Sequence, residues 1–260
     1  MLLSLDVEEF DIPEEYGQVM DPETKIQVSG AGLKKVLDLL DSLDITVTCF
    51  TTVFFAKNQP DLMQRIIDRH ELASHGVSHS GLHSDDFSTS RLALETLSGR
   101  EVCGFRKPRL GKVDSAEVKA AGYLYNSSEN PIYLPGRYMN FFKPRLPHIS
   151  AGLVNLPISC SPVIRYPLFW LSFKNSPEWL YRKMSRWTLR SDGYLNIFFH
   201  SWEFSDLTPW QLPSFVKYPS GEHMLIKLEK YLTWLKQQAR FTTHADFARG
   251  FLADSRPVKP

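Results

Sequence analysis

The feature that most constrains this chain is a repeated alternation of short apolar runs with amphipathic ones. LLSLDV opens as a buried strand, and Leu33, Val36, Leu37, Leu39 and Leu40 then recur at helical spacing through GLKKVLDLLDSLD. TVTCFTTVFF is β-branched and aromatic, a strand running into a loop. NQPDLMQRIIDR, with Pro60 near its start, reads as the next helix. HELASH as strand, STSRLALETLSG as helix and VCGFRKP as strand continue the series. DSAEVKAAGY then carries Asp114 as an N-cap and Gly122 as a stop. Such an order predicts an α/β fold, a parallel sheet or barrel with helices outside. From about 125 to 190 the rhythm gives way to Pro- and aromatic-rich sequence with several short elements. It returns with GYLNIFFHSWEF, a helix over about 222–238 and a closing FTTHADFARGF strand–helix pair. No linker, repeat or low-complexity tract interrupts it, so residues 1–260 read as a single domain with an irregular insertion.

Folds of this kind collect function where the C-terminal ends of parallel strands meet their loops. The first strand ends in LDVEEFD, four acids within six residues, which repel one another unless something positive sits among them. Asp6 and Glu8, two apart, share one face of a strand, whereas Glu9 and Asp11 are expected to face solvent or the loop. The third strand end, ASHGVSHSGLH, sets His75 and His79 four apart, a spacing that suits one metal ion across a helical or tight turn. His83 sits further along that loop and ranks below them. The fourth, GFRKPRL, offers Arg106 to hold and orient a carboxylate in a bidentate fork. Late in the chain NIFFHSWEF closes a strongly apolar strand on His200, placed to serve as a general acid, with Glu203 expected to cap or pair. Each signal alone is modest. Together they supply a two-His-one-carboxylate metal site, a separate carboxylate base, an Arg to orient it and a His acid, the equipment for metal-assisted hydrolysis of an amide.

Composition narrows the alternatives. Lys plus Arg (30) nearly balances Asp plus Glu (29), so no broad field favours nucleic acid or an anionic membrane, and recognition of charge has to be local. No window reaches the roughly 20 apolar residues of a membrane span. Cys49, Cys103 and Cys160 lie far apart without CxxC spacing, which argues for buried reduced thiols in place of a disulfide framework. With acids arriving at position 6, before any adequate apolar stretch, no signal peptide is read and a cytoplasmic protein is expected.

In motif order over roughly residues 3–205, the chain resembles the polysaccharide deacetylase family, the NodB-homology domain of carbohydrate esterase family 4. LDVEE looks like its first acidic motif, SHGVSH its metal-binding His motif, GFRKPRL its Arg motif and FFHSWEF its late His motif, while LVNLPIS resembles the segment before the late part of the domain. The resemblance implies a distorted seven-stranded (β/α) barrel that removes N-acetyl groups from amino sugars with zinc or a related divalent ion. It implies Asp6 as base, Glu8, His75 and His79 as metal ligands, Arg106 as the partner of the base and His200 as acid. Two residues depart from the family pattern. Glu8 stands where Asp is commoner, one methylene longer, and Gly76 where Ser or Thr is common, with Ser74 and Ser78 able to supply a hydroxyl. Within SSENPIYLPGRYMNFFKPRLPH, Tyr133, Arg137, Tyr138 and Phe141, together with Trp202, are the residues expected to stack on or bond to a sugar. An exposed aromatic insertion serves a homo-oligomer surface as readily as a substrate platform. The rival readings are a cyclic-amide hydrolase and a catalytically silent carbohydrate-binding relative.

Overall fold

The computed structural model describes residues 1–80, 86–134 and 138–254. Strand β1 (Leu2–Val7) leads to helix α1 (Pro22–Ser42), β2 (Thr48–Thr51) to α2 (Val53–Asn58) and α3 (Pro60–Arg69), β3 (Glu71–Ser74) to α4 (Asp86–Ser98), and β4 (Gly104–Phe105) to α5 (Ser115–Ala120). The next stretch holds β5 (Tyr125–Asn126), β6 (Tyr133–Leu134), β7 (Tyr138–Met139), β8 (His148–Ser150), β9 (Leu153–Asn155), α6 (Trp170–Asn175) and α7 (Glu178–Asp192). The chain ends with β10 (Asn196–His200), α8 (Ser214–Lys217), α9 (Gly221–Lys236) and α10 (His244–Asp254).

One curled sheet runs β10-β1-β2-β3-β4-β5-β9-β8. The first seven are parallel neighbours, as a (β/α) barrel requires, and β8 adds an antiparallel edge on β9. Past β9 the chain meets β10 again, Ser159 N donating to Asn196 O at 2.9 Å and Asn196 Nδ2 to Leu156 O at 3.0 Å. These bonds bring the two ends of the parallel array together. Register then fixes the top of the barrel. Asp6 pairs with His200 across the β1–β10 ladder, so both side chains leave the sheet on one side. One step past the row Val7–Thr51–Ser74–Phe105 come Glu8, Thr52, His75 and Arg106.

Several boundaries differ from the sequence reading. Helix α1 begins at Pro22, because Asp21 accepts from Thr24 N at 2.8 Å and the proline follows at the first helical position; its first turns are polar and hide the periodicity. TVTCFTTVFF is strand only to Thr51, since Thr52 caps α2 by accepting from Phe55 N. The stretch read as short elements contains the 15-residue helix α7. Phe241–Thr243 is irregular, with Thr242 N bonded to Met1 O. Gly32 of α1 is positionally essential: a β-carbon there would lie 2.1 Å from Ser201 O, so only glycine lets the helix approach the turn behind His200. All three cysteines are free and buried, and among the described residues no helix is long and apolar enough to cross a membrane.

Candidate active site

The strand ends enclose a cleft of about 260 Å³ lined by Asp6, Glu8, His79, Arg109, Tyr138 and His200, among others. Arg106 is its foundation. The side chain is fully buried, its guanidinium 4.0 Å from the Phe50 ring centroid and 5.1 Å from that of Phe198. Nη1 donates to Asp6 Oδ1 at 2.6 Å and to Ser4 Oγ at 2.9 Å, while Nε and Nη2 donate to Ser127 O and Oγ. The expected bidentate fork is therefore divided: one nitrogen holds Asp6, and the remaining donors anchor the guanidinium to β1 and to the residue after β5. The second Asp6 oxygen, Oδ2, is left 3.9 Å from His75 Nε2.

Beside it, one carboxylate oxygen collects two imidazoles. Glu8 Oε2 lies 3.0 Å from His75 Nε2 and 3.1 Å from His79 Nε2, and all three side chains are buried. The turn between the histidines is tight, with Gly76 at φ +88°, a conformation that a Ser or Thr would adopt only under strain. This accounts for glycine at position 76. Ser74 Oγ accepts from Gly76 N at 3.2 Å, and Ser78 Oγ donates to Ser80 O.

The far ring nitrogens are tied down as well. His75 Nδ1 is 2.8 Å from Arg106 O, and a carbonyl only accepts, so Nδ1 carries a proton there. His79 Nδ1 is 2.7 Å from Asp11 Oδ2. With both Nδ1 protons committed outward, loss of the Nε2 protons leaves each ring a lone pair turned toward the Glu8 oxygen. Three electron-rich atoms at that spacing call for a cation among them. Ligands of a four-coordinate ion at about 2.0–2.1 Å lie about 3.3 Å apart, close to the observed separations. The donor set, with acceptors behind both imidazoles, fits a borderline divalent metal. Burial by itself raises the Glu8 pKa, but His79, His75 and His200 more than reverse that and hold its carboxyl far below the ordinary range. Burial likewise pulls His79 down, and the Glu8 and Asp11 carboxylates outweigh it, raising His79 to about 9.

His200 faces this cluster from β10, its Nε2 3.9 Å from Glu8 Oε1. Its Nδ1 lies 3.1 Å from Glu203 Oε1, which also accepts from His200 N at 2.8 Å. Trp202 stacks on the imidazole at 4.8 Å, and Trp170 presents its edge at 5.0 Å. Burial lowers the His200 pKa, yet the Glu203 hydrogen bond and the Glu8, Glu203 and Asp6 charges raise it above its usual value. Behind Glu203 stands the buried ammonium of Lys174, 3.7 Å from Oε2.

Some expected roles change. Asp11 is buried and supports His79, and Glu9 is buried too, accepting from Thr52 Oγ1 at 2.8 Å; neither faces solvent, because the chain turns inward once β1 has ended. Trp202 cannot be an open stacking face: it is 1% exposed and donates Nε1 to Glu8 Oε1 at 3.2 Å, so it positions the carboxylate. Tyr138 lines the cleft, whereas Tyr133 packs its ring against Phe141. Arg137 and His83 lie outside the described residues. Sequence reasoning passed over Arg109, half-exposed on the cleft wall with φ +58° and paired with Glu15 at 2.9 Å. It also passed over Asp11, which the need for an acceptor behind a ligating histidine could have pointed to.

Fold and site together define a class: a (β/α) barrel whose strand ends gather a His–His–carboxylate cluster beside an arginine-held acid. The sequence model of the polysaccharide deacetylase family matches residues 28–125 of this chain. That span contains His75, His79 and Arg106, while Asp6, Glu8 and His200 join them through the sheet. No curated protein matches the chain. A provisionally named polysaccharide deacetylase from Mycobacterium smegmatis shares the fold at TM-score 0.65 and 16% identity, covering 100% of this chain and 93% of that one. Puue allantoinase follows at TM-score 0.64 and 16% identity (99% and 91% covered). A provisionally named deacetylase from Pseudomonas aeruginosa PAO1 gives TM-score 0.62 and 14% identity (99% and 92% covered).

Proposed function

We propose that this chain is a metal-dependent hydrolase that removes an N-acyl group, acetyl foremost, from an amino sugar or polysaccharide precursor. The observation that carries this reading is the shared cleft: Asp6, gripped by Arg106, lies beside the Glu8–His75–His79 cluster and opposite His200. We read residues 1–260 as one catalytic unit, and the dispersed free thiols suit a reducing, cytoplasmic setting.

Glu8, His75 and His79 would hold the ion, zinc by its imidazole-rich donor set, and when bound it supplies Lewis-acid polarisation of the acyl carbonyl and an acidified water. Asp6 takes a proton from the attacking water through Oδ2, the oxygen Arg106 leaves free. His200, pinned by Glu203 at Nδ1, gives its Nε2 proton to the departing amine. Trp202 and Trp170 fix the His200 ring and keep water from its faces. Tyr138 and Arg109, on the cleft wall, contact the sugar.

Metal affinity should depend on pH in a defined direction. The His79 Nε2 proton has to leave before that nitrogen can ligate, and in the metal-free protein it leaves near pH 9. Zinc affinity is therefore expected to rise roughly tenfold per pH unit between about pH 7 and 9 and then level off, as read by competition with a chromogenic chelator. A flat profile across that range would contradict a role for His79 as ligand.

The shared fold of Puue allantoinase gives a cyclic-amide hydrolase standing as the second reading, because a cyclic amide offers the same C–N bond to the same groups. A catalytically silent carbohydrate-binding relative would have no use for the full set of acid, base and ligand side chains. Acetate or formate release from free, nucleotide-linked and lipid-linked N-acyl amino sugars, run beside ring opening of cyclic amides, separates these readings. Carboxylate release from the sugars supports the proposal; ring opening alone replaces it with the second reading.

A further inference from the structure

Between Glu129 and Glu178 the chain contains no acidic residue, although it carries 29 acids in 260 positions. The same stretch contributes Arg137, Lys143, Arg145, Arg165 and Lys174. An overall balance of charge thus conceals a basic segment, and that segment exposes apolar side chains in an unusual way. Phe142 is 95% exposed, Val163 76%, Met139 70% and Ile164 59%.

These residues form one surface. The Phe141 ring lies 5.4 Å from Phe142 and 5.9 Å from Tyr133, and Tyr133 is the register partner of Met139 in the β6–β7 pair. Arg165 ties the Val163–Ile164 turn to them, its guanidinium 5.5 Å from the Phe141 centroid and its Nη1 donating to Lys143 O at 3.2 Å. Val163 holds φ +61°, a costly conformation for a β-branched residue, and Ile164 N bonds back to Pro162 O. Strain is thus accepted in a turn that displays two large aliphatic side chains to water. Arg145 is already paired with Asp192, and Glu129 at the border is met by His148 at 3.5 Å and by the Lys143 charge, so Lys143 and Arg165 are the half-buried cations beside the apolar cluster.

We propose that this face docks on an anionic lipid bilayer, with Phe142, Met139, Val163 and Ile164 entering the headgroup–acyl boundary and Lys143 and Arg165 meeting phosphate. Exposed apolar groups flanked by cations have the chemistry of an interfacial anchor. A second copy of the chain is a poorer occupant, because a two-fold contact would press basic face against basic face. Tyr138, next to Met139 on β7, lines the cleft, so docking places a strand that walls the cleft on the membrane surface.

Vesicle sedimentation tests this without requiring turnover, so its outcome is independent of the deacylase reading. The full chain is expected to sediment with mixed phosphatidylglycerol–phosphatidylcholine vesicles, to be released by high salt, and to ignore pure phosphatidylcholine. Phe142→Ser with Ile164→Ser should weaken partitioning by about tenfold or more, and Lys143→Gln by roughly fivefold. Unchanged melting temperatures would show that these exposed substitutions leave the fold intact. No sedimentation of wild type with anionic vesicles would overturn the proposal, as would undiminished sedimentation of the double variant. A dimer in sedimentation equilibrium that the double variant dissolves would assign the face to a second copy instead.

Discussion

Asp6→Asn is expected to keep its divalent ion and to lose kcat by about 10²–10⁴-fold, the range for removal of a general base. The substitution separates two roles that one cleft holds close together. Asn retains an oxygen for the 2.6 Å bond from Arg106 Nη1, so the guanidinium keeps its place between Phe50 and Phe198. The Glu8–His75–His79 cluster is unaltered, and metal content should stay stoichiometric. What disappears is a basic oxygen where Oδ2 now faces the cluster. Metal analysis and single-turnover acetate release on the same preparation check this. Turnover near the wild-type rate would show that Asp6 is not the base.

Arg106→Ala is expected to be the most destabilising single change in the site. It strips the partner from a buried carboxylate, the situation that costs about 3–5 kcal/mol when one member of a buried pair is removed. It also opens a void between Phe50 and Phe198 and leaves Ser4 and Ser127 without their donor. Against a typical domain stability of about 5–15 kcal/mol, that is a large share. Lysine should not rescue it, because a single ammonium cannot reach Ser4, Asp6 and both Ser127 oxygens from one rigid plane. The urea midpoint reads the effect; a loss under about 1 kcal/mol for Arg106→Ala would contradict the anchoring role.

Those two positions were legible in the sequence because strand geometry made them so. Alternation along β1 put Asp6 and Glu8 on one side, and the order of strand ends around a parallel barrel brought His75, Arg106 and His200 to them. Local pattern failed where the backbone left regular structure. Strand β1 ends at Val7 and its alternation carries only one residue further, to Glu8, so it had no bearing on Glu9 and Asp11, which the turn after β1 folds inward. Trp202 looked like a sugar platform by residue type, but the turn at Ser201–Phe204 sends its indole beneath Glu8. Gly76 looked like a lost hydroxyl until its φ of +88° made it the residue that lets two histidines close on one oxygen. Arg109 carried no signal of its own, since a positive φ in an Arg is set by the surrounding loop and leaves no periodic trace.

On the proposed function, acyl transfer to water depends on an ion held by Glu8, His75 and His79. Acetate release from an N-acetyl amino sugar, by chelator-treated protein before and after one equivalent of zinc, tests it most directly, with His75→Ala alongside. Stripped wild type is expected to be inactive and to be restored by zinc, whereas His75→Ala should neither retain the ion nor regain turnover. Undiminished acetate release by the stripped wild type, or full recovery of His75→Ala with zinc, would contradict it.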